Sequence, residues 1–412
     1  TTADTTEADE RKWDTRQSYP YRLKFSPDLI NVGMGISSVY GYAAQWLVVL
    51  SDLLGNHRIT LAGDVQGRFD EYSHVFGSYL NATHRVDFEV GGFYSRDYTS
   101  TRFHIDSIFH DINTGGMLRV RYPFSVYSRM DLFGYYSHVD RKSLTKVYDS
   151  TTVYDTTYSG DSADVETTTV RTGSGRHLKR SFDVFLPTLS YVFDNVLWGL
   201  TGPVNGIRAA ATVTAIPPLK TVNASFISGD IDVRNYAHLD RRFVWANRVA
   251  AGASMSLKDG KAQRRYFLGG SENWLNYRLE PDSYESNLRH VFYSDFVVPF
   301  RGWDYFELTG SRFAVLNSEF RFPFVREIAL AWPLPLEVRY INGAVFVDVG
   351  NAWDREDEYE TIPLPKNVYG GVGFGLRVNL GMFVLRYDRA WKTDWMNYVK
   401  DPITYFSLGA DF

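Results

Sequence analysis

The last nine residues, Thr404-Tyr-Phe-Ser-Leu-Gly-Ala-Asp-Phe412, indicate the fold class of this 412-residue chain. From Phe406 onward every second residue is apolar, whereas the opposite parity holds Tyr405, Ser407, Gly409 and Asp411. Strict alternation of this kind predicts a β-strand with one apolar face. Because the pattern continues to Phe412, we expect the terminus to be built into a sheet.

The same alternation recurs in segments of about ten residues separated by turn signals, which is typical of a transmembrane β-barrel. Sixteen segments fit the pattern: about 28–40, 42–52, 57–69, 74–81, 86–96, 113–123, 128–142, 179–193, 206–216, 223–235, 243–257, 312–322, 336–350, 369–379, 382–390 and 404–412. The predicted fold is therefore all-β, a 16-stranded antiparallel transmembrane β-barrel. An even number of strands brings both termini to one side, the periplasm in outer-membrane barrels.

The composition agrees with a barrel in the cell outer membrane. Aromatic residues make up 16% of the chain, which fits two girdles in contact with outer-membrane lipids. A net charge of −4 excludes a polybasic nucleic-acid binder. Cysteine is absent, which fits an oxidising compartment where stray thiols are avoided. The nearest candidate for a membrane helix, Val32–Leu50, contains Gly33, Gly35 and Gly41, and we interpret it as a strand hairpin.

The alternation also divides the charges from the apolar residues. In the segment 369–379, Phe374 and Leu376 oppose Arg377, and in 382–390 Leu385 opposes Arg386 and Asp388. We assign the charged face to the lumen, because an arginine on the lipid face at the midplane would cost about 2–4 kcal/mol.

The connections suggest how the chain is divided. Residues 1–20 are aperiodic and rich in Thr, Asp and Glu, and we interpret them as a periplasmic linker or arm ahead of a barrel at 21–412. Four long polar stretches fall on the predicted extracellular side: loop 4 at about 143–178, loop 6 at about 258–311, and the segments 351–368 and 391–403. Within loop 4 the stretch Tyr148–Gly175 is of low complexity and is expected to be mobile. On the inner side, 194–205 and the Pro-rich 323–335 are longer than tight turns.

Loop 6 and the two predicted strands after it carry the most specific residues. Near its end the loop reads Phe300-Arg-Gly-Trp303, the next strand contains Asn317-Ser-Glu-Phe-Arg-Phe-Pro323, and the following one contains Phe346-Val-Asp-Val-Gly-Asn-Ala-Trp353. In these residues the chain resembles the BamA-type superfamily of outer-membrane assembly and two-partner secretion barrels. The resemblance implies sixteen strands and a sixth loop that folds back into the lumen.

In that superfamily the Arg-Gly-aromatic tip of the loop pairs with acidic residues on strands 12 and 13. Carried over residue by residue, the tip is Phe300, Arg301, Gly302 and Trp303, and the acids are Glu319 and Asp348. The alternation independently turns both acids inward, where an arginine can form bidentate bonds to them. Taken one at a time, Arg301 is also compatible with a solvated loop cation, and the acids with ordinary lumen charges.

Two features depart from the family pattern. About thirty residues, Ser271–Phe300, separate Phe267-Leu-Gly-Gly270 from Arg301, whereas many relatives have only a few, and the insertion is expected to add a cap over the barrel. Relatives usually carry periplasmic POTRA repeats or a TolB-like propeller ahead of the barrel, and these 412 residues contain neither. The turn Ser51–Asn56 is similar to that of the propeller-linked branch.

The resemblance implies a barrel that inserts or translocates client polypeptides with periplasmic accessory proteins, through a weak seam between the first and last strands. Seam candidates are Gly33, Gly35, Gly409 and Phe412. Glycine weakens a strand interior, although these glycines are equally compatible with relief of curvature.

Two other classes remain open. The chain is alternatively an outer-membrane channel for small solutes, or a barrel that anchors a periplasmic partner domain. An enzyme is not expected, because the nine histidines are scattered and no nucleophile or metal-binding motif stands out. We therefore predict no catalytic residues, no metal and no cofactor.

Overall fold

The structure, a computed structural model, describes sixteen ranges of the chain: 21–37, 41–66, 72–100, 107–159, 162–217, 225–240, 242–257, 264–272, 274–275, 294–297, 299–305, 307–330, 336–354, 367–380, 384–396 and 401–409. Across these ranges no helix is long and apolar enough to cross a membrane.

Within the described ranges, sixteen long strands form one antiparallel sheet, and each overlaps one of the sixteen predicted segments. They are β1 (Ser26–Ser37), β2 (Gly41–Ser51), β3 (His57–Gln66), β4 (Tyr72–Asn81), β5 (Asp87–Ser100), β6 (Ser107–Pro123), β7 (Ser128–Ser159), β8 (Ser162–Asp194), β10 (Pro203–Ile216), β11 (Phe226–Asp240), β12 (Phe243–Ser256), β16 (Arg312–Leu330), β17 (Leu336–Trp353), β18 (Tyr369–Asn379), β19 (Val384–Thr393) and β20 (Ile403–Leu408). A two-residue strand, β9 (Leu197–Trp198), pairs with the start of β10.

Each long strand pairs with its neighbour along the chain, as in an up-and-down barrel. Among the described residues, β1 forms a ladder with β2 alone, and β20 forms one with β19 alone. The hairpin interpretation of Val32–Leu50 is confirmed, since β1 and β2 pair from Ser26↔Ser51 to Ser37↔Gly41.

The two faces of the sheet differ as the sequence predicts. Val90, Leu118 and Val249 remain 56%, 52% and 50% exposed, because they lie on the outer, lipid-facing surface. Arg377 and Asp388, on the opposite parity of their strands, are buried on the inner surface. The fold is a transmembrane β-barrel with an apolar exterior and a charged lumen.

Two predicted loops are shorter than expected. Loop 4 is not a free loop, because β7 and β8 continue through 143–178 as one ladder that reaches Ser159↔Ser162. Its many Thr, Val and Tyr residues favour extended backbone. The connection 323–335 is also largely paired, since β16 and β17 remain in register to Leu330↔Leu336.

The described residues of loop 6 include three short strands: β13 (Arg265–Leu268), β14 (Ser294–Val297) and β15 (Leu308–Gly310). β13 pairs parallel to β14 and antiparallel to β15, which makes a separate three-stranded sheet. Tyr266 of this small sheet packs on Phe313 of the barrel wall, with ring centroids 4.7 Å apart. The loop is therefore folded into the lumen against β12, β16 and β17.

Candidate functional site

The loop-6 tip lies inside the barrel. Phe300, Arg301, Gly302 and Trp303 are all buried, and Arg301 has no solvent-exposed surface. The base of the loop is fixed to the same wall, because Tyr266 donates a hydrogen bond to Asp230 of β11. Tyr266 thus attaches β13 of the small loop sheet to the barrel wall.

Arg301 is held by two carboxylates on neighbouring strands. Its Nε and its backbone N–H donate to Asp348 Oδ2, each at 2.8 Å, and its Nη2 donates to Asp348 Oδ1 at 2.9 Å. Its Nη1 donates to Glu319 Oε2 at 2.6 Å. The guanidinium also lies 3.4 Å from the centroid of the Phe346 ring, a favourable cation–π arrangement.

Further charged side chains surround Arg301 and its two carboxylate partners. Arg321 Nε donates to Glu319 Oε1 at 2.7 Å, and Arg377 Nη2 donates to Glu319 Oε2 at 3.1 Å. Arg377 also donates to Asp388 at 2.5 Å. Buried charges are tolerated only when they are paired, so the network fixes loop, β16, β17, β18 and β19 relative to one another.

Two glycines allow the close approach. Gly302 adopts φ +94°, which favours glycine, and a Cβ there would lie 3.0 Å from the backbone of Trp391. A Cβ on Gly371 of β18 would lie only 1.6 Å from the carbonyl oxygen of Arg301. The main chain of the tip therefore rests directly on the main chain of the wall.

The aromatic residues of the tip occupy the space beside this contact. Trp303 Nε1 donates to the Gly370 carbonyl at 2.9 Å, and its ring lies 4.9 Å from that of Tyr369. Lys392 Nζ is 3.8 Å from the Trp303 ring centroid. Phe300 forms an isolated antiparallel bridge with Gly270, which joins the tip to the Leu-Gly-Gly element.

The last strand also holds the tip. The Gly302 N–H donates to the hydroxyl of Tyr405 at 2.7 Å, and this hydroxyl donates to the carbonyl of Trp303 at 3.0 Å. Tyr405 is fully buried. The C-terminal strand is consequently coupled to the loop tip through the Tyr405 side chain.

Residues 76–412 match the family model of the Omp85 superfamily domain. The chain belongs to the Omp85 superfamily. Membership locates this Omp85 barrel in a bacterial outer membrane and agrees with the resemblance drawn from the loop-6 residues. No curated protein matches the chain by sequence.

Solved structures with the same architecture include BamA from Haemophilus ducreyi lacking POTRA domains 1–3. It aligns with a TM-score of 0.59 and 14% identity over 93% of this chain and 69% of that one. CdiB from Acinetobacter baumannii aligns with a TM-score of 0.46 and 14% identity over 92% and 58% of the two chains. CdiB from Escherichia coli aligns with 0.46 and 12% over 95% and 67%. The likeness to BamA supports the fold of the Omp85 barrel.

The structure brings the predicted loop tip together with both predicted acids, Glu319 and Asp348. Among the seam candidates, Gly33 and Gly35 lie in the β1–β2 ladder and Gly409 follows β20, and no ladder joins β1 to β20 among the described residues. Phe412 lies outside the described residues. Within the described ranges, no group of three His, Asp or Glu side chains is arranged to hold a metal ion.

Sequence reasoning missed Tyr405, which bonds to the tip, and the contacts of Arg321 and Arg377 with Glu319. Their inward parity was visible in the alternation, but alternation gives only the face of a residue and not what lies opposite. The Tyr405 contact joins positions 103 residues apart, and no local pattern records it.

Proposed function

We propose that this Omp85 barrel inserts or translocates client polypeptides through a seam between β1 and β20. The proposal is supported by Omp85 membership and by the resemblance of the loop-6 residues to BamA-type assembly and secretion barrels. Insertion by this route requires no covalent chemistry, only an exposed strand edge with which an extended client chain can pair.

One observation supports a seam between β1 and β20. Among the described residues, β1 and β20 each have a ladder on one side only. A strand edge presents backbone N–H and C=O groups that can template another strand. β1 includes Gly33 and Gly35, and β20 stops before Gly409; because glycine weakens a strand interior, we expect these edges to open at low cost.

In this proposal the pinned loop braces the barrel from within. Arg301, bound to Glu319 and Asp348, keeps β16 and β17 aligned while the seam opens. The buried tip also narrows the lumen in this proposal, which argues against a wide channel for small solutes. Outer-membrane lipids surround the outer face, and periplasmic accessory proteins meet the end that carries both termini.

The absence of cysteine allows a direct test by engineered disulfides. Ile30→Cys on β1 is combined in turn with Thr404→Cys, Phe406→Cys or Leu408→Cys on β20. The assay is assisted insertion of an unfolded eight-stranded outer-membrane barrel into liposomes. We expect the pair that forms a disulfide to lower the rate at least about tenfold, and a reductant to restore it.

The matched control is Ile30→Cys with Val48→Cys, a pair aligned across the β1–β2 ladder. This disulfide leaves the seam free, so activity should persist after oxidation. A cross-linked seam that retains the full rate of insertion would remove the proposed mechanism.

A further inference from the structure

The second edge of β20, the one that faces away from β19, already has an occupant. The Leu275 N–H donates to the carbonyl of Phe406 at 2.7 Å, and Trp274 forms an isolated antiparallel bridge with Ser407. The N–H of Gly409 donates in the opposite direction, to Val384 of β19. Because hydrogen bonds alternate between the two edges of an antiparallel strand, Leu275 lies where another strand would pair.

Side chains strengthen this contact from the lumen. The ring of Trp274 lies 4.4 Å from that of Tyr405 and 5.3 Å from that of Tyr305. The hydroxyl of Ser271 is 3.5 Å from that of Ser407 and accepts a hydrogen bond from Arg386 at 3.2 Å. Ser271 is fully buried.

These residues come from the insertion that distinguishes the loop from the usual family pattern. Ser271, Trp274 and Leu275 directly follow Phe267-Leu-Gly-Gly270, whose Gly270 is itself bridged to Phe300 of the tip. The position of the insertion is therefore coupled to the pinned tip through a short stretch of backbone.

We propose that Ser271, Trp274 and Leu275 form an edge latch that occupies the strand-binding edge of β20 until an extended polypeptide strand displaces it. The latch rests on the proposed function, because it regulates access to the same seam. It is short, so a strand that forms a longer ladder along β20 displaces it. The closed latch lowers the apparent affinity for such a strand in proportion to the fraction of time it is closed.

The first test compares Leu275→Pro with Leu275→Ala in the full-length chain. Proline removes the N–H that donates to Phe406, whereas alanine keeps it and changes only a side chain that is 56% exposed. The probe is a fluorescent peptide of residues 26–37, the strand that would close the barrel, bound to protein in detergent. We expect Leu275→Pro to bind it about three- to tenfold more tightly than Leu275→Ala, the range that one backbone hydrogen bond supports.

Trp274→Ala supplies a second opening variant that keeps all backbone donors, and it should raise peptide affinity in the same direction. A variant in which the latch is locked closed should lower peptide affinity instead. Trp274→Cys with Ser407→Cys joins a directly opposed pair, for which Cα atoms about 4.5 Å apart suit a disulfide. The oxidised form should lose peptide binding and the reduced form should regain it.

The outcomes separate the latch from the proposed function. The latch is refuted and the seam stands if the β1–β20 disulfide stops insertion but the latch variants bind the peptide as Leu275→Ala does. These variants are Leu275→Pro, Trp274→Ala and the oxidised protein with Trp274→Cys and Ser407→Cys. If the β1–β20 disulfide leaves insertion unchanged, the proposed function fails, while altered peptide affinity would still establish the latch as an occupant of the β20 edge.

Discussion

At the residue scale, the geometry around position 301 requires arginine rather than any cation. Arg301 uses three guanidinium nitrogens to reach two carboxylates, Asp348 and Glu319. A planar guanidinium presents several donors in a fixed fork, whereas an ammonium acts as a compact point charge. Lysine at this position could not reproduce the bidentate bond to Asp348 together with the bond to Glu319.

Removing this bridge should destabilise the barrel more than removing a surface pair. Arg301→Ala leaves Asp348 without its bidentate partner in a buried site, so we expect a loss of about 3–5 kcal/mol in the free energy of unfolding. Arg301→Lys should fall between alanine and wild type. Arg129→Ala, which removes a pair with Asp131 whose arginine is 42% exposed, should change stability by about 1 kcal/mol or less. Urea titration in detergent measures all three, and equal effects of Arg301→Ala and Arg129→Ala would contradict a pinned loop.

The contact between tip and wall can be tested without altering any charge. Gly371→Ala places a methyl group against the Arg301 carbonyl oxygen, whereas a Cβ at Gly229 meets nothing within 4 Å. We expect Gly371→Ala to displace the tip, to raise single-channel conductance in planar bilayers and to increase protease cleavage within 264–305. Gly229→Ala should resemble wild type in both assays. If both variants keep the wild-type conductance, the tip does not restrict the lumen.

At the element scale, the alternation of residue types predicted which strands exist but not how far they extend. In the barrel, one face of each strand contacts lipid and the other faces the lumen, and this difference in environment produces the alternation of residue types. Beyond Thr145, β7 pairs only with β8 among the described residues, and a ribbon of two strands can be polar on both faces. The 143–178 segment therefore lacked the signal on which the strand prediction depended.

The connection between β8 and β10 shows a second limit of sequence reasoning. Its excess length was evident, but the structure ties it to distant strands. Asn342 donates to Thr201 at 2.6 Å, and Arg321 donates to the Pro203 carbonyl at 3.1 Å. These contacts join positions more than 100 residues apart, and they depend on the curvature of the whole sheet.

Only part of the candidate site could be predicted from the sequence. Arg301, Glu319 and Asp348 could be predicted because a family resemblance named them and because parity placed both acids on the lumen face. Trp274 could not, because its meeting with Tyr405 requires both the inward fold of the loop and the end of the last strand. The alternation of residue types shows on which face of the sheet a residue lies, whereas its contact partner depends on how the sheet and loop 6 fold in three dimensions.

At the scale of the whole molecule, an even number of long strands places the two ends of the sheet on one side of the membrane. β1 starts and β20 finishes at the end that also holds the tight turn 52–56, whereas the β7–β8 hairpin and loop 6 belong to the opposite end. At the first of these ends Tyr21 donates a hydrogen bond to Asp52. That bond stabilises the protonated hydroxyl and raises the pKa of Tyr21 to about 12.

This arrangement predicts the sidedness of the barrel in cells. An epitope tag inserted between Ser159 and Ser162, at the tip of the β7–β8 hairpin, should bind antibody on intact cells. A tag ahead of Thr1 should bind only after the outer membrane is permeabilised, because the termini are expected in the periplasm. A tag in the turn between Leu53 and Gly55 serves as the control, since it shares the end of the barrel with Thr1 and should behave in the same way. Antibody binding to the Thr1 tag on intact cells would reverse the orientation and place the seam mouth and its accessory proteins on the wrong side of the membrane.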